Sequence, residues 1–471
     1  MLRRPAPVRS PRLVQANLAA GAQAGLPTKG RSVALFNSTV YQNEYLPDGG
    51  TDVNAIVRIG VSDAGSAGSD GGAGEIIIID CSGSMGQRSM LAARQAAMVA
   101  LDNILDGTYF AVVSGTHEAY LAYPIVQSGP GMVQMSPRTR REAKDAISRL
   151  VADGGTAIGR WLNLTLALFN SMGGKVTQRH ALLLTDGADE HETPEQLDAA
   201  IRACVGHFQC DCRGIGTYWV VSEVRKIARA LMGTLDIIPD PSMMAAEFAK
   251  IMQTSMSRGV SSANLRVWTP QGAQLLFVRQ VSPTVEDLTY QGEPVNPLTV
   301  DFPTGAWGDE ERDYHVAVRL PAKAVGQEQL AARVQLVVGE QPRTQGLVKA
   351  MWSSDDSLTA QINDEVAHYT GQTELAAAIQ EGLAARKAGD LSTATSKLGR
   401  AVQLAQQTGN HEATTKLRKV VDVVDPGTGT VRLKSRIEKA DEMALDTSST
   451  KTTRTRQSNG ENAGESNGQA E

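Results

Sequence analysis

The chain has 471 residues, with 46 Lys and Arg against 51 Asp and Glu for a formal net charge of −5. A mildly acidic balance excludes the broad basic face that non-specific nucleic-acid binding needs, so no nucleic-acid partner is expected. A hydrophobic fraction of 41% is enough for more than one core, while 4% aromatics and 45 glycines point to tight turns and helices that meet through small side chains. Residues 1–30, rich in Arg, Pro, Ala and Gly, read as a disordered tail. Their least polar stretch, Leu13–Leu26, is broken by Gln15, Asn17 and Gln23 and does not form the apolar centre of a signal peptide. No apolar run approaches the ~18 residues of a membrane span. Four cysteines do not make a disulfide framework in a chain of this length, and a cytoplasmic location is expected.

Ser32–Tyr41 and Ala55–Val61 carry β-branched and aromatic residues on either side of an Asp48-Gly49-Gly50 turn signal. Residues 31–62 are therefore predicted to be strands, and residues 63–74, almost wholly Gly, Ser, Ala and Asp, a linker. Over residues 75–256 buried-type strands alternate with helices. Ile76–Ile79 is a continuous β-branched run, and Ser136-Pro137 is a helix start of the N-cap and first-turn kind. This alternation predicts an α/β unit with a doubly wound, mostly parallel sheet. Short strand-like runs separated by Gly and Pro over residues 260–355 predict a flanking β-sandwich. The early strands would complete it, making the α/β unit an insertion. Residues 362–424 predict a helical hairpin. Residues 439–471, rich in Thr, Ser, Gly and Asn, predict a disordered tail.

The first buried strand runs into Asp80-Cys81-Ser82-Gly83-Ser84. In a doubly wound sheet, ligands bind beyond the carboxyl ends of the strands. There Asp80, Ser82 and Ser84 offer oxygen side chains on a Gly-containing loop. Thr156 follows the turn Asp153-Gly154-Gly155, and Asp186 closes the run Leu182-Leu183-Leu184-Thr185. Hydroxyls with few carboxylates suit a hard divalent cation, Mg²⁺ or Mn²⁺, rather than zinc.

This constellation resembles the metal-ion-dependent adhesion site of von Willebrand factor A domains, over about residues 75–256. The resemblance implies that Ser82, Ser84 and Thr156 touch the metal through hydroxyls, and that Asp80 and Asp186 hold it directly or through water. It also implies a coordination position left open for an Asp or Glu carboxylate of a protein partner. The helical segment resembles one tetratricopeptide repeat through Gly382, Ala385, Gly389, Ala394, Leu398 and Ala401.

No enzyme is expected. The second acid of the Asp-x-Asp phosphatase pattern is replaced by Ser82, and no Gly-x-x-x-x-Gly-Lys-Ser/Thr loop occurs. None of the seven histidines falls in the three loops; His191, the nearest, reads as a surface-loop residue. Cys204, His207, Cys210 and Cys212 form a cluster open to two readings, core packing or zinc. The threonines 447, 450, 452, 453 and 455 would suit recognition by a forkhead-associated domain or a Ser/Thr kinase if phosphorylated. The function read from these features is a metal-dependent protein-binding scaffold in bacterial signalling or stress response. The alternatives are a subunit of an ATP-driven chelatase or chaperone assembly, or a metal-dependent hydrolase.

Overall fold

The computed structural model describes residues 34–64, 72–125 and 131–454. The expected N-terminal tail, the centre of the Gly/Ser linker and the last threonine of the cluster, Thr455, lie outside the described residues.

The α/β unit holds a seven-stranded sheet. Its main path runs Leu235–Ile238, Gln209–Ile215, Val176–Thr185, Gly72–Asp80, Tyr109–Gly115, Ala119–Tyr123. The first five are parallel and the last is antiparallel. The central strand shows why the sheet is covered on both faces. Ile76 and Ile78 enter one core with Trp161, Phe169 and Cys210, while Ile77 and Ile79 enter the other with Met90, Phe110 and Phe248. Each fully buried Ile side chain is worth about 1.5–3 kcal/mol, so a strand with no polar face is stable only between two helical layers. The helices start where the sequence places caps. Ser136 and Thr193 each close a capping box, with Thr139 and Gln196, ahead of a proline in the first turn. The sheet strand begins at Gly72, so the linker is shorter than the sequence suggests.

Two sheets, antiparallel but for the short parallel pairing of Tyr45–Leu46 with Gln341–Trp352, form the sandwich. Leu35–Gln42 and Asp52–Ser62 join Glu310–Arg319 and Gln274–Ser282 in one, and Val260–Trp268, Thr299–Trp307, Glu328–Val338 and Gln341–Trp352 build the other. One core unites them around Trp307, Tyr314 and Trp352. The α/β unit is inserted between Asp52–Ser62 and Val260–Trp268. Its two ends meet at the turn that carries the chain from Thr299–Trp307 in one sheet to Glu310–Arg319 in the other: Ala64 N donates to Asp309 Oδ1 at 2.7 Å, and Gly259 N to the Trp307 carbonyl at 3.1 Å.

Helices Asp364–Lys387 and Leu391–Gln407 pack antiparallel and meet tightly at Gly382, where a Cβ would lie 2.8 Å from Leu398 Cγ. His411–Val420 and a two-stranded hairpin, Val421–Asp425 and Thr430–Leu433, complete this core. The expectation of a disordered tail from residue 439 is overturned over residues 439–454; residues 455–471 lie outside the described residues. Lys439–Ser448 is a helix with Met443 in the α/β core and Leu445 in the helical core. Residues 449–454 then run as a strap, beginning with a turn at Ser449 and Thr450. Val285 N donates to the Thr450 carbonyl at 2.7 Å, Thr452 Oγ1 to the Val281 carbonyl at 2.7 Å, and Gln372 Nε2 to Thr453 Oγ1 at 2.7 Å. Composition misled here because polar side chains bonded to backbone in a groove look, in sequence, like polar side chains in water.

Candidate metal centre

Asp80 ends the central strand and is fully buried. Its Oδ1 accepts from Ser82 N at 2.8 Å, and its Oδ2 from Thr185 Oγ1 at 2.7 Å and Asp186 N at 3.3 Å. Asp80 thus ties the loop after its own strand to the loop after the neighbouring one. Burial pushes its pKa up, against the hydrogen bonds from Ser82, Thr185 and Asp186. Ser82 Oγ lies 2.9 Å from Ser84 Oγ, which donates to Asp186 Oδ1 at 2.6 Å. Burial holds the Asp186 pKa up at about 6, and the nearby Asp80 charge adds to it against the Ser84 hydrogen bond. A cation placed between these carboxylates would relieve that strain.

Thr156 arrives from a third loop, which is pinned from several sides. Asp153 N donates to the Cys81 carbonyl at 2.7 Å, Gly83 N to the Gly154 carbonyl at 2.9 Å, and Ala157 N to the Thr116 carbonyl at 3.1 Å. Gly154 adopts φ +78°, a left-handed backbone that favours glycine. The structure places all five residues singled out in the sequence at one sheet edge.

The hollow they surround fits a small cation. A Cβ on Gly187 would lie 3.0 Å from Ser84 Oγ, 3.1 Å from Thr156 Oγ1 and 3.9 Å from Ser82 Oγ. Three hydroxyls therefore face the space that this glycine leaves empty, with Asp186 beside them. Oxygen donors of this kind match Mg²⁺ or Mn²⁺. Because both Asp80 oxygens already accept protein hydrogen bonds, Asp80 suits an orienting role or contact through water.

Sequence reasoning missed three participants. Thr185 anchors Asp80, and Gly187 leaves the hollow open; both stand in the Thr185-Asp186-Gly187 run, whose small residues were the available signal. His191 was read as a surface-loop residue. It is exposed, yet its Nδ1 accepts from Thr156 N at 3.2 Å while His191 N donates to the Thr156 carbonyl at 3.0 Å. Only the fold brings it there.

The cysteine cluster is not brought together around His207. Cys204, Cys210 and Cys212 are buried in the core with Cys210 Sγ 3.9 Å from Cys212 Sγ, while His207 is exposed. Among the described residues, no three His, Cys, Asp or Glu side chains are grouped to hold a metal.

A doubly wound sheet with hydroxyls and a carboxylate converging over a glycine at its carboxyl edge defines a von Willebrand factor A-type module. The von Willebrand factor type A domain model matches residues 76–237, and that of the von Willebrand factor type A C-terminal domain matches residues 403–449. A von Willebrand factor type A structure from Catenulispora acidiphila is 45% identical. It covers 91% of this chain and 99% of that one, with a TM-score of 0.84. The chain belongs to the von Willebrand factor type A family. The ArnB paralog VWA2 from Sulfolobus acidocaldarius, at 14% identity and a TM-score of 0.53 over 89% of this chain and 98% of that one, shares the fold. An uncharacterized Synechocystis protein is 28% identical over 222 residues, 46% of this chain and 50% of the relative, so the match spans half of that protein's length.

Proposed function

We propose that this chain is a metal-dependent protein-binding scaffold, not an enzyme. Mg²⁺ or Mn²⁺ would be held by Ser82, Ser84, Thr156 and Asp186, with Asp80 directly or through water, and an Asp or Glu of a protein partner would take the open position. The observation that carries this reading is the convergence of three neutral hydroxyls and one buried carboxylate around Gly187. Few anionic donors leave the cation able to attract another carboxylate. Around the hollow, the hydroxyls of Ser82 and Ser84 are hydrogen-bonded to each other, and that of Ser84 donates to Asp186, a carboxylate that the cation itself would claim. This favours a binding role over a nucleophile–base pair. No helix among the described residues is long and apolar enough to cross a membrane, and we place the scaffold in the cytoplasm, in signalling or stress response.

Recognition of phosphothreonine by a forkhead-associated domain or a kinase would fall on the half-buried Thr450, on Thr455, or on an opened strap, because Thr447 is buried and the hydroxyls of Thr452 and Thr453 bond to Val281 and Gln372. The test of the main reading is capture of the partner on immobilised full-length protein. Retention in Mg²⁺, release by chelator and loss in Asp186→Ala and Thr156→Ala are expected. Retention in excess chelator contradicts the reading.

A further inference from the structure

The loop that carries Thr156 is held between two imidazoles from different loops. His191 lies flat against Gly155: a Cβ on that glycine would fall 1.9 Å from His191 Cε1, 2.2 Å from Nδ1 and 2.3 Å from Nε2. His117 lies against Gly154, its Nδ1 2.7 Å from the corresponding Cβ position, and the two rings are 6.1 Å apart. Both histidines are exposed on the edge that holds the candidate metal centre.

His191 Nδ1 accepts the Thr156 backbone N–H. A nitrogen that accepts carries no hydrogen, so the neutral ring carries its hydrogen on Nε2. This assignment has two consequences. The ring is not a metal ligand through Nε2, because that would need the hydrogen moved to Nδ1, against the Thr156 N–H. It is instead a hydrogen-bond donor on an exposed side chain that is held against the backbone of Thr156, a residue of the candidate site.

We infer that His191 has two functions at this site: it positions Thr156 through Nδ1, and it reads the incoming carboxylate by donating Nε2–H to the oxygen that the cation does not take. The inference rests on the metal-dependent reading above and names a residue that selects its ligand. A carboxylate has a second acceptor oxygen to offer, whereas a water or hydroxyl ligand does not, so the histidine favours acidic partners over neutral ones.

The two functions separate in two substitutions. Asn at 191 keeps an acceptor near the place of Nδ1 and removes the outer donor; Gln keeps a donor farther out and removes the acceptor. The experiment uses the full chain, with Mn²⁺ affinity measured by calorimetry. Acetate binding is read as enhanced carboxyl-carbon relaxation of ¹³C-labelled acetate by bound Mn²⁺. His191→Asn is expected to keep Mn²⁺ affinity near that of the unsubstituted protein and to weaken acetate binding about tenfold. His191→Gln is expected to weaken Mn²⁺ binding about tenfold, the lower end of what loss of an outer support costs a metal site. Thermal unfolding should be unchanged in both, since the side chain is exposed. Undiminished acetate binding in His191→Asn overturns the reading role, and undiminished Mn²⁺ affinity in His191→Gln overturns the positioning role. Absence of acetate relaxation in the unsubstituted, Mn²⁺-loaded protein overturns instead the proposal that the cation keeps a position for a carboxylate, and the reading role falls with it.

Discussion

Gly187 separates the site's function from its stability more cleanly than any ligand does. It does not lie in the left-handed backbone region that favours glycine, so Ala is allowed there. The added methyl would occupy the hollow between Ser84, Thr156 and Ser82. Gly187→Ala should lower Mn²⁺ affinity at least about tenfold, on the scale of other disturbances beside a metal site, while moving the thermal midpoint little; calorimetry and a melting curve check both. At the other end of the same strands, His180 lies buried between Glu75, at 2.6 Å from Nδ1, and Asp211, at 2.9 Å from Nε2. Burial alone would pull the imidazolium pKa down, but the two carboxylates outweigh it and hold it at about 9. Because the folded value lies above the unfolded 6.5, the stabilisation is fully present below about pH 6.5 and is lost as pH rises through about 9. Urea midpoints should therefore fall from pH 6.5 to 9.5. His180→Ala should cost about 3 kcal/mol, as expected when one partner of a buried charged group is removed, and should flatten that pH dependence.

At the scale of elements, the strap of residues 449–454 joins all three parts of the molecule. Lys451 pairs with Asp236 of the α/β unit, Arg454 with Glu311 of the sandwich, and Ser449 with Gln380 of the helical pair. Each bond is worth ~0.5–1.5 kcal/mol net, set against the cost of ordering the backbone. Truncation after Ser448 should thus lower stability by about 1–3 kcal/mol, and amide exchange at Val285 should accelerate. Thr452→Glu should have the same effect, because it removes the hydroxyl bonded to the Val281 carbonyl. An unchanged midpoint in both variants would show that the strap is incidental. The strap was illegible in the sequence because its bonds run to backbone carbonyls and distant side chains, which leave no periodicity. Strands Thr299–Trp307 and Gln341–Trp352 are hard to read in the sequence for a related reason. They contain Pro303, Gly305 and Gly346, which read as turn residues. Gly305 has φ +74° where Gln209 of the α/β unit presses against it, and Gly346 has no room for a Cβ beside Val40. The helices Ile158–Ser171 and His411–Val420 and the isoleucine strand were legible because period and burial agree in them. The five oxygen donors were legible because each stands at a strand end or in a glycine turn. His191 was not, since it reaches Thr156 across 35 positions.

In the whole molecule, the inserted α/β unit presents its candidate metal edge away from its attachment. The chain reaches it from the sandwich near Ala64 and returns near Gly259, at the end of the sheet where Glu75, His180 and Asp211 lie. The donors gather at the opposite, carboxyl ends of the same strands. A partner of the proposed kind would therefore reach the candidate site without displacing the sandwich or the helical pair, which remain as separate surfaces. Separation also means that the site should report on metal alone, with the rest of the fold intact. The most direct test is calorimetric titration of the full chain with Mn²⁺, beside Asp186→Ala and Thr156→Ala. The account predicts one site in the unsubstituted protein, lost or weakened at least about tenfold in each variant, with melting curves showing that both remain folded. Equal Mn²⁺ affinity in all three proteins would contradict it.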